Sequence, residues 1–139
     1  MTQNLVASVH QRLLNRARAE GRPFNELLQY YVLERFLYRL GQSSFADRFV
    51  LKGALLLSVW QAPLSRPTRD IDLLGRLSND MEQLVAIMRQ ICLAEVAEED
   101  GLLFHADAAV GEQIILSCLP TAVKVSSPKN STRWFCWAS

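Results

Sequence analysis

Paired cysteines are missing from this 139-residue chain: Cys92, Cys118 and Cys136 lie far apart, with neither the spacing of a zinc ligand set nor that of a disulfide framework. A signal peptide is missing too, as is any uninterrupted apolar segment long enough to cross a bilayer, and Met1 to Leu5 are too polar to act as a targeting segment. These absences lead to the expectation of a protein of the reducing cytoplasm that does not enter a membrane. Net charge is nearly absent at +1, so total charge gives no argument for a strongly basic nucleic-acid surface. Histidine is scarce, and His10 has no second His or Cys at a helical spacing, so it reads as a surface residue. The most consequential shortage is local: no aspartate or glutamate follows Glu112.

What is present fits one domain with a real core. Half the residues are hydrophobic and 21% are charged, close to the norm for a globular chain of this length. Charge is unevenly spread. Residues 1–52 carry eight Lys/Arg against four Asp/Glu, whereas residues 53–112 carry four against ten. A basic half beside an acidic half suits an anionic ligand and its metal ions, and equally suits two ordinary solvated faces.

Residues 5–20 have a helical period, with Leu5, Val9, Leu13 and Ala17 stepping by four beside Val6 and Leu14, and with Arg12, Arg16 and Glu20 turned to solvent. Gly21 stops this helix and Pro23 opens a second, from about Pro23 to Leu40. The apolar face of the second helix runs through Phe24, Leu28, Val32, Phe36 and Leu40, placing Arg35, Arg39 and Gln42 on the other side, and Gly41 is its expected stop. The two helices form a hairpin expected to pack on the stretch that follows.

That stretch, Phe49 to Gly75, organises the chain. Phe49-Val50-Leu51 reads as a short buried strand, and Lys52-Gly53 then leads into ALLLSVW, read as a helix. A strand entering a helix at Lys-Gly points free N–H groups and the positive end of the helix dipole at an anion, which suits phosphate. A loop stiffened by Pro63 and Pro67 follows, and Arg69 to Leu74 reads as a strand. Alternation puts Asp70 and Asp72 on one face and Ile71 and Leu73 on the other. Two carboxylates on one side of a rigid strand can share a hard divalent cation such as magnesium. They can equally form a surface ion-pair group with Arg66 and Arg69.

Asn79 with Glu82 resembles a capping box that opens a helix carrying Leu84, Val85, Met88, Ile91 and Cys92 on one stripe. Met88 and Cys92 read as core residues. This helix is expected to end near the acidic run Glu98-Glu99-Asp100, with Leu102-Leu103-Phe104 and Ile114-Ile115-Leu116 as strand candidates and His105 and Asp107 at the surface. Residues 113–139 change character, with no acid, two prolines and RWFCWAS at the end. The expected division is therefore 1–112 as the N-terminal part of the domain and 113–139 as an atypical tail, disordered or non-native to the fold.

Taken together, Lys52-Gly53 followed by Arg66-x-Thr68-Arg69-Asp70-Ile71-Asp72 and a capped helix resembles the AbiEii/AbiGii family of nucleotidyltransferase-like toxins, of the DNA polymerase β-like superfamily. The resemblance covers roughly Val9 to Gly111. It implies an α+β fold, a small mixed sheet flanked by helices with an N-terminal helical hairpin. It also implies a toxin of a toxin–antitoxin pair that transfers a nucleotide from a nucleoside triphosphate (NTP) to an RNA or protein acceptor, with tRNA a target class and a cognate antitoxin as partner. Carried onto this chain, Asp70 and Asp72 would be the catalytic magnesium ligands. Gly53 would approach the triphosphate closely, and Lys52, Arg66 and Arg69 would neutralise it.

Two departures from the family pattern stand out. Gly53 is followed by Ala54 instead of a second Gly or a Ser, and no carboxylate follows Glu112 to supply the third metal ligand expected on a later strand. The resemblance therefore implies impaired activity for this chain. A non-catalytic binding module that keeps the fold is the alternative, and an Asp-x-Asp glycosyltransferase a further one, although the Lys-Gly turn has no role in that chemistry.

Overall fold

Helix α1 spans Thr2–Glu20 in a computed structural model that describes residues 2–52, 70–76, 80–104, 106, 122–126 and 135–138. The four-residue apolar step half-buries Leu5, Val9 and Leu13 and buries Ala17, and leaves Arg12, Arg16 and Glu20 in solvent as expected. Gly21 ends the helix at φ +63°, a left-handed conformation that costs a residue with a Cβ about 1–2 kcal/mol. The Arg22 N–H then donates to the Ala17 carbonyl at 3.0 Å, which satisfies one of the helix's last orphan acceptors.

Helix α2 follows as Phe24–Gln42 with Pro23 at its cap, completing the hairpin. Gly41 lies inside this helix and does not stop it. Ser43 does: its N–H and hydroxyl both donate to the Leu40 carbonyl, at 3.1 and 2.6 Å, and its Oγ accepts from the Phe45 N–H at 3.2 Å. With the end carbonyl satisfied by serine, no left-handed glycine is required.

A 3₁₀ turn, Ala46–Arg48, leads into β1, Phe49–Lys52. Strand β2 is Asp70–Gly75 and helix α3 is Met81–Leu93. The cap of α3 is Asp80, one residue beyond the expected Asn79, and its Oδ1 accepts from the Glu82 N–H at 3.0 Å. An aspartate here both satisfies an orphan donor and faces the positive end of the helix dipole. α3 stops at Leu93, well short of the acidic run. Leu102 to Phe104 form no strand, because the Asp100 carboxylate accepts the Leu102 N–H at 3.1 Å and offers the backbone a local alternative to a ladder. The candidates Gly53–Trp60, Ile114–Leu116, His105 and Asp107 lie outside the described residues.

Two further strands, β3 (Ala122–Ser126) and β4 (Phe135–Ala138), complete a sheet of order β1-β2-β3-β4 in which each described pairing is antiparallel. Both come from beyond residue 112. One face of the sheet meets the helices: Ile71 and Leu73 have no solvent exposure and pack with Leu33 and Phe36 of α2 and Met88 and Ile91 of α3. Val125 and Val123 stand across from Ile71 and Leu73 in the register, so β3 presents its apolar positions on that same face. Burying each such side chain contributes about 1.5–3 kcal/mol, and this layer fixes which way β2 faces.

Candidate functional site

The opposite face of the sheet carries the aspartates. With Ile71 and Leu73 inside, alternation places Asp70 and Asp72 on the other side, where Val50 of β1 is 41% exposed. The register supplies Asp72's neighbours. Lys52 is its partner on β1 and Lys124 its partner on β3, so one rung reads Lys52–Asp72–Lys124. Asp70 stands across from Ser126. Directly opposed residues of antiparallel strands have Cα atoms about 4.5–5.5 Å apart, so the Asp72 backbone is bracketed by two lysine positions at that spacing.

Such a rung can hold phosphate and a hard cation at once. Two carboxylate positions on one strand offer oxygen donors, and magnesium is commonly held by one or two carboxylates together with substrate phosphates. A lysine on either side adds the positive charge a polyphosphate needs. The donor set therefore fits one magnesium ion. A second would need a further carboxylate, and β3 offers Lys124 and Ser126 at the facing positions instead.

Of the residues expected at the site, the fold brings Lys52, Asp70 and Asp72 together on adjacent strands. Gly53, Arg66 and Arg69 lie outside the described residues, with Gly53 directly following the last residue of β1. Lys124, the β3 partner of Asp72, falls in the segment expected to be an atypical tail and was not among the expected residues. Its signal was the short alternation Val123-Lys124-Val125.

A second polar cluster is structural. Arg35 and Arg39 of α2, expected on the solvent side, both reach Asp100. Arg39 donates from Nη1 and Nη2 at 2.7 and 3.2 Å, and Arg35 donates from Nε at 2.8 Å. Tyr31 adds a hydroxyl bond to the Asp100 carbonyl at 2.7 Å. Arg39 and Asp100 are both buried, and the Arg39 guanidinium lies 4.6 Å from the centre of the Phe104 ring. Helical spacing already placed Arg39 three residues after Phe36 and seven after Val32, on the apolar face. Burial alone would raise the Asp100 carboxyl, but the hydrogen bonds from Arg39, Arg35 and the Leu102 N–H outweigh it and hold the group below the usual carboxylate range. These contacts tie the segment after α3 to α2.

Cys92 is a free thiol partly buried against the core, and burial pushes it up to about 11, with the Arg39 charge opposing. It is protonated and inert near neutral pH, as expected of a core residue. His10 is exposed and leans on the Phe24 ring at 4.8 Å. Among the described residues no helix is long and apolar enough to cross a membrane.

Helices layered on one face of a small sheet, with two aspartates a residue apart on the other, define an α+β protein of the nucleotidyltransferase-like class. Residues 35–127, about two thirds of the chain and including β3, match the family described as nucleotidyl transferase AbiEii toxin of type IV toxin–antitoxin systems, and the chain belongs to that family. Comparison with curated proteins and with solved structures gives no match.

Proposed function

We propose that the open face of the sheet binds the triphosphate of a nucleoside triphosphate with one magnesium ion and directs nucleotidyl transfer to an RNA acceptor, in a cytoplasmic toxin governed by a cognate antitoxin. The Lys52–Asp72–Lys124 rung carries this reading. Asp70 and Asp72 would hold the ion, which when bound supplies charge neutralisation at the phosphates. Lys52 and Lys124 would flank the triphosphate and orient it, while Gly53, Arg66 and Arg69 would contribute from the connecting segment. In the transfer an acceptor hydroxyl oxygen gives up its proton to solvent and bonds to the α-phosphorus as the bond to the bridging oxygen breaks and pyrophosphate leaves. Such chemistry depends on positioning and charge stabilisation more than on a protein nucleophile.

Thermal unfolding in magnesium with ATP, CTP, GTP or UTP tests the binding step. At least one nucleotide is expected to stabilise the parent chain, by about 2.7 kcal/mol at a hundred times its Kd, and Asp70→Asn and Asp72→Asn are each expected to abolish the effect. Stabilisation that survives both substitutions rejects the site.

Lys124 and Ser126 at the β3 positions facing the aspartates favour a second reading, a module that binds nucleotide without transferring it. Ser126→Asp puts a carboxylate across from Asp70 and separates the two. If a third carboxylate is what transfer lacks, incorporation of labelled nucleotide into RNA should rise at least tenfold in this variant. An unchanged rate in a folded, nucleotide-binding variant leaves the binding module.

A further inference from the structure

The register that sets Lys52, Asp72 and Lys124 on one rung continues into β4, where Trp137 stands across from Lys124 and Phe135 across from Ser126. One full rung therefore reads Lys52–Asp72–Lys124–Trp137, and the rung beside it reads Asp70–Ser126–Phe135. Directly opposed residues of an antiparallel pair belong to the same face, so Phe135 and Trp137 take positions on the face of the aspartates. The alternate β4 positions, Cys136 and Ala138, stand across from Val125 and Val123, on the side of the buried Ile71 and Leu73.

Core packing alone would select the reverse. Large apolar and aromatic residues gain most from burial, yet the helix-facing positions of β4, the strand that α3 contacts, hold a cysteine and an alanine. The two aromatic residues share a face with carboxylate and lysine positions instead. Phe135 and Trp137 of the terminal RWFCWAS thus fall into a period-two pattern that places both on one side.

Neighbouring strands lie about 4.8 Å apart, so the Trp137 position is about 10 Å from that of Asp72, with Lys124 between them. Phe135 stands about 7 Å along the strand from Trp137. Carboxylate, cation and aromatic positions follow one another across the sheet. A nucleoside triphosphate presents its groups in the matching order, with phosphates and their metal ion at one end and a flat base at the other. Every base has a π-face, and stacking on an aromatic side chain holds it without hydrogen-bond readout.

We infer that Trp137, with Phe135 beside it, is the stacking platform for the base of the bound nucleotide. This rests on the nucleotide site proposed above and adds where along the sheet the base lies and how it is held. Trp137 positions the nucleotide and takes no part in bond making. Stacking of this kind accepts all four bases and favours purines, whose π-face is wider.

Calorimetric titration in magnesium with ATP, CTP, GTP and UTP, and separately with inorganic tripolyphosphate, tests the inference. Tripolyphosphate carries the phosphates without a base. Trp137→Ala is expected to lower affinity for the nucleotides that the parent binds by about tenfold or more, as for a base that loses its aromatic partner, and to leave tripolyphosphate affinity unchanged. Trp137→Phe should keep most of the nucleotide affinity, and Phe135→Ala should cost less than Trp137→Ala. Nucleotide affinity that survives Trp137→Ala, or a parent that binds tripolyphosphate but no nucleotide, overturns the platform and leaves the triphosphate position standing. An equal loss of tripolyphosphate and nucleotide in Trp137→Ala marks the residue as structural and also overturns the platform. A parent that binds neither probe rejects the nucleotide site, and the platform with it.

Discussion

Asp100→Ala is expected to destabilise the protein by about 3–5 kcal/mol in urea unfolding, the range for removing one partner of a buried ion pair. The substitution removes the carboxylate that accepts from Arg39, Arg35 and the Leu102 N–H, and leaves the buried Arg39 with the Arg35 carbonyl and the Phe104 ring in place of a counter-charge. The cost comes from that orphaned charge more than from the lost attraction. Adding Arg39→Met to Asp100→Ala should therefore recover part of the loss, because a buried pair can often be replaced by apolar side chains at little expense. The parent chain should also show a pH dependence of defined sign. The Asp100 carboxyl is held below its ordinary value near 3.9, so the unfolded chain takes up the proton first. Its stabilisation is fully present above about pH 4–5 and fades as pH falls through the folded value. Stability measured between pH 6 and pH 2 should fall more steeply in the parent than in Asp100→Ala.

Ile71→Ala should cost about 2–5 kcal/mol, as expected for deleting most of a large side chain that has no solvent exposure. Its neighbours on β2 provide the contrast. Asp70 and Asp72 stand on the face opposite Ile71, and their replacement by asparagine should change stability by no more than about 0.5 kcal/mol, as is usual for surface substitutions. The test is chemical denaturation of all three variants under one set of conditions. A large loss in Asp70→Asn together with a small loss in Ile71→Ala would mean that β2 faces the other way, since a one-residue slip exchanges the faces of a strand. Ile71 therefore bears on function without touching a ligand: packed against α2 and α3, it determines where the carboxylate positions on either side of it stand.

Period carried most of the legible information. Four-residue steps mark α1 and α2, and two-residue alternation alone separates the buried Ile71 and Leu73 from Asp70 and Asp72. Charge was the main source of error. Arg39 occupies an apolar helical position, yet a guanidinium is normally left in water unless a partner repays its desolvation, and the partner lies 61 positions away in what looked like a solvated acidic run. Helix ends were misplaced for a similar reason. Gly41 looked like a stop and Asn79 like a cap, but Ser43 and Asp80 make the hydrogen bonds that end and begin those helices. The grouping on the sheet was half legible: the positions of Asp70, Asp72 and Lys52 follow from local pattern, whereas that of Lys124 beside Asp72 depends on the pairing of strands distant in sequence.

The strand order sets the sequence in which the site can assemble. Strand β1 closes onto β2 across residues 53–69, whereas β3 reaches β2 only across residues 76–121, a connection nearly three times as long. For flexible connections that difference adds about 0.9 kcal/mol of loop-closure entropy to the second pairing. During synthesis the N-terminal hairpin and the β1–β2 pair emerge first. Until β3 arrives, Asp72 has Lys52 on one side and an unpaired strand edge on the other, so a partly made chain holds the aspartates but lacks Lys124.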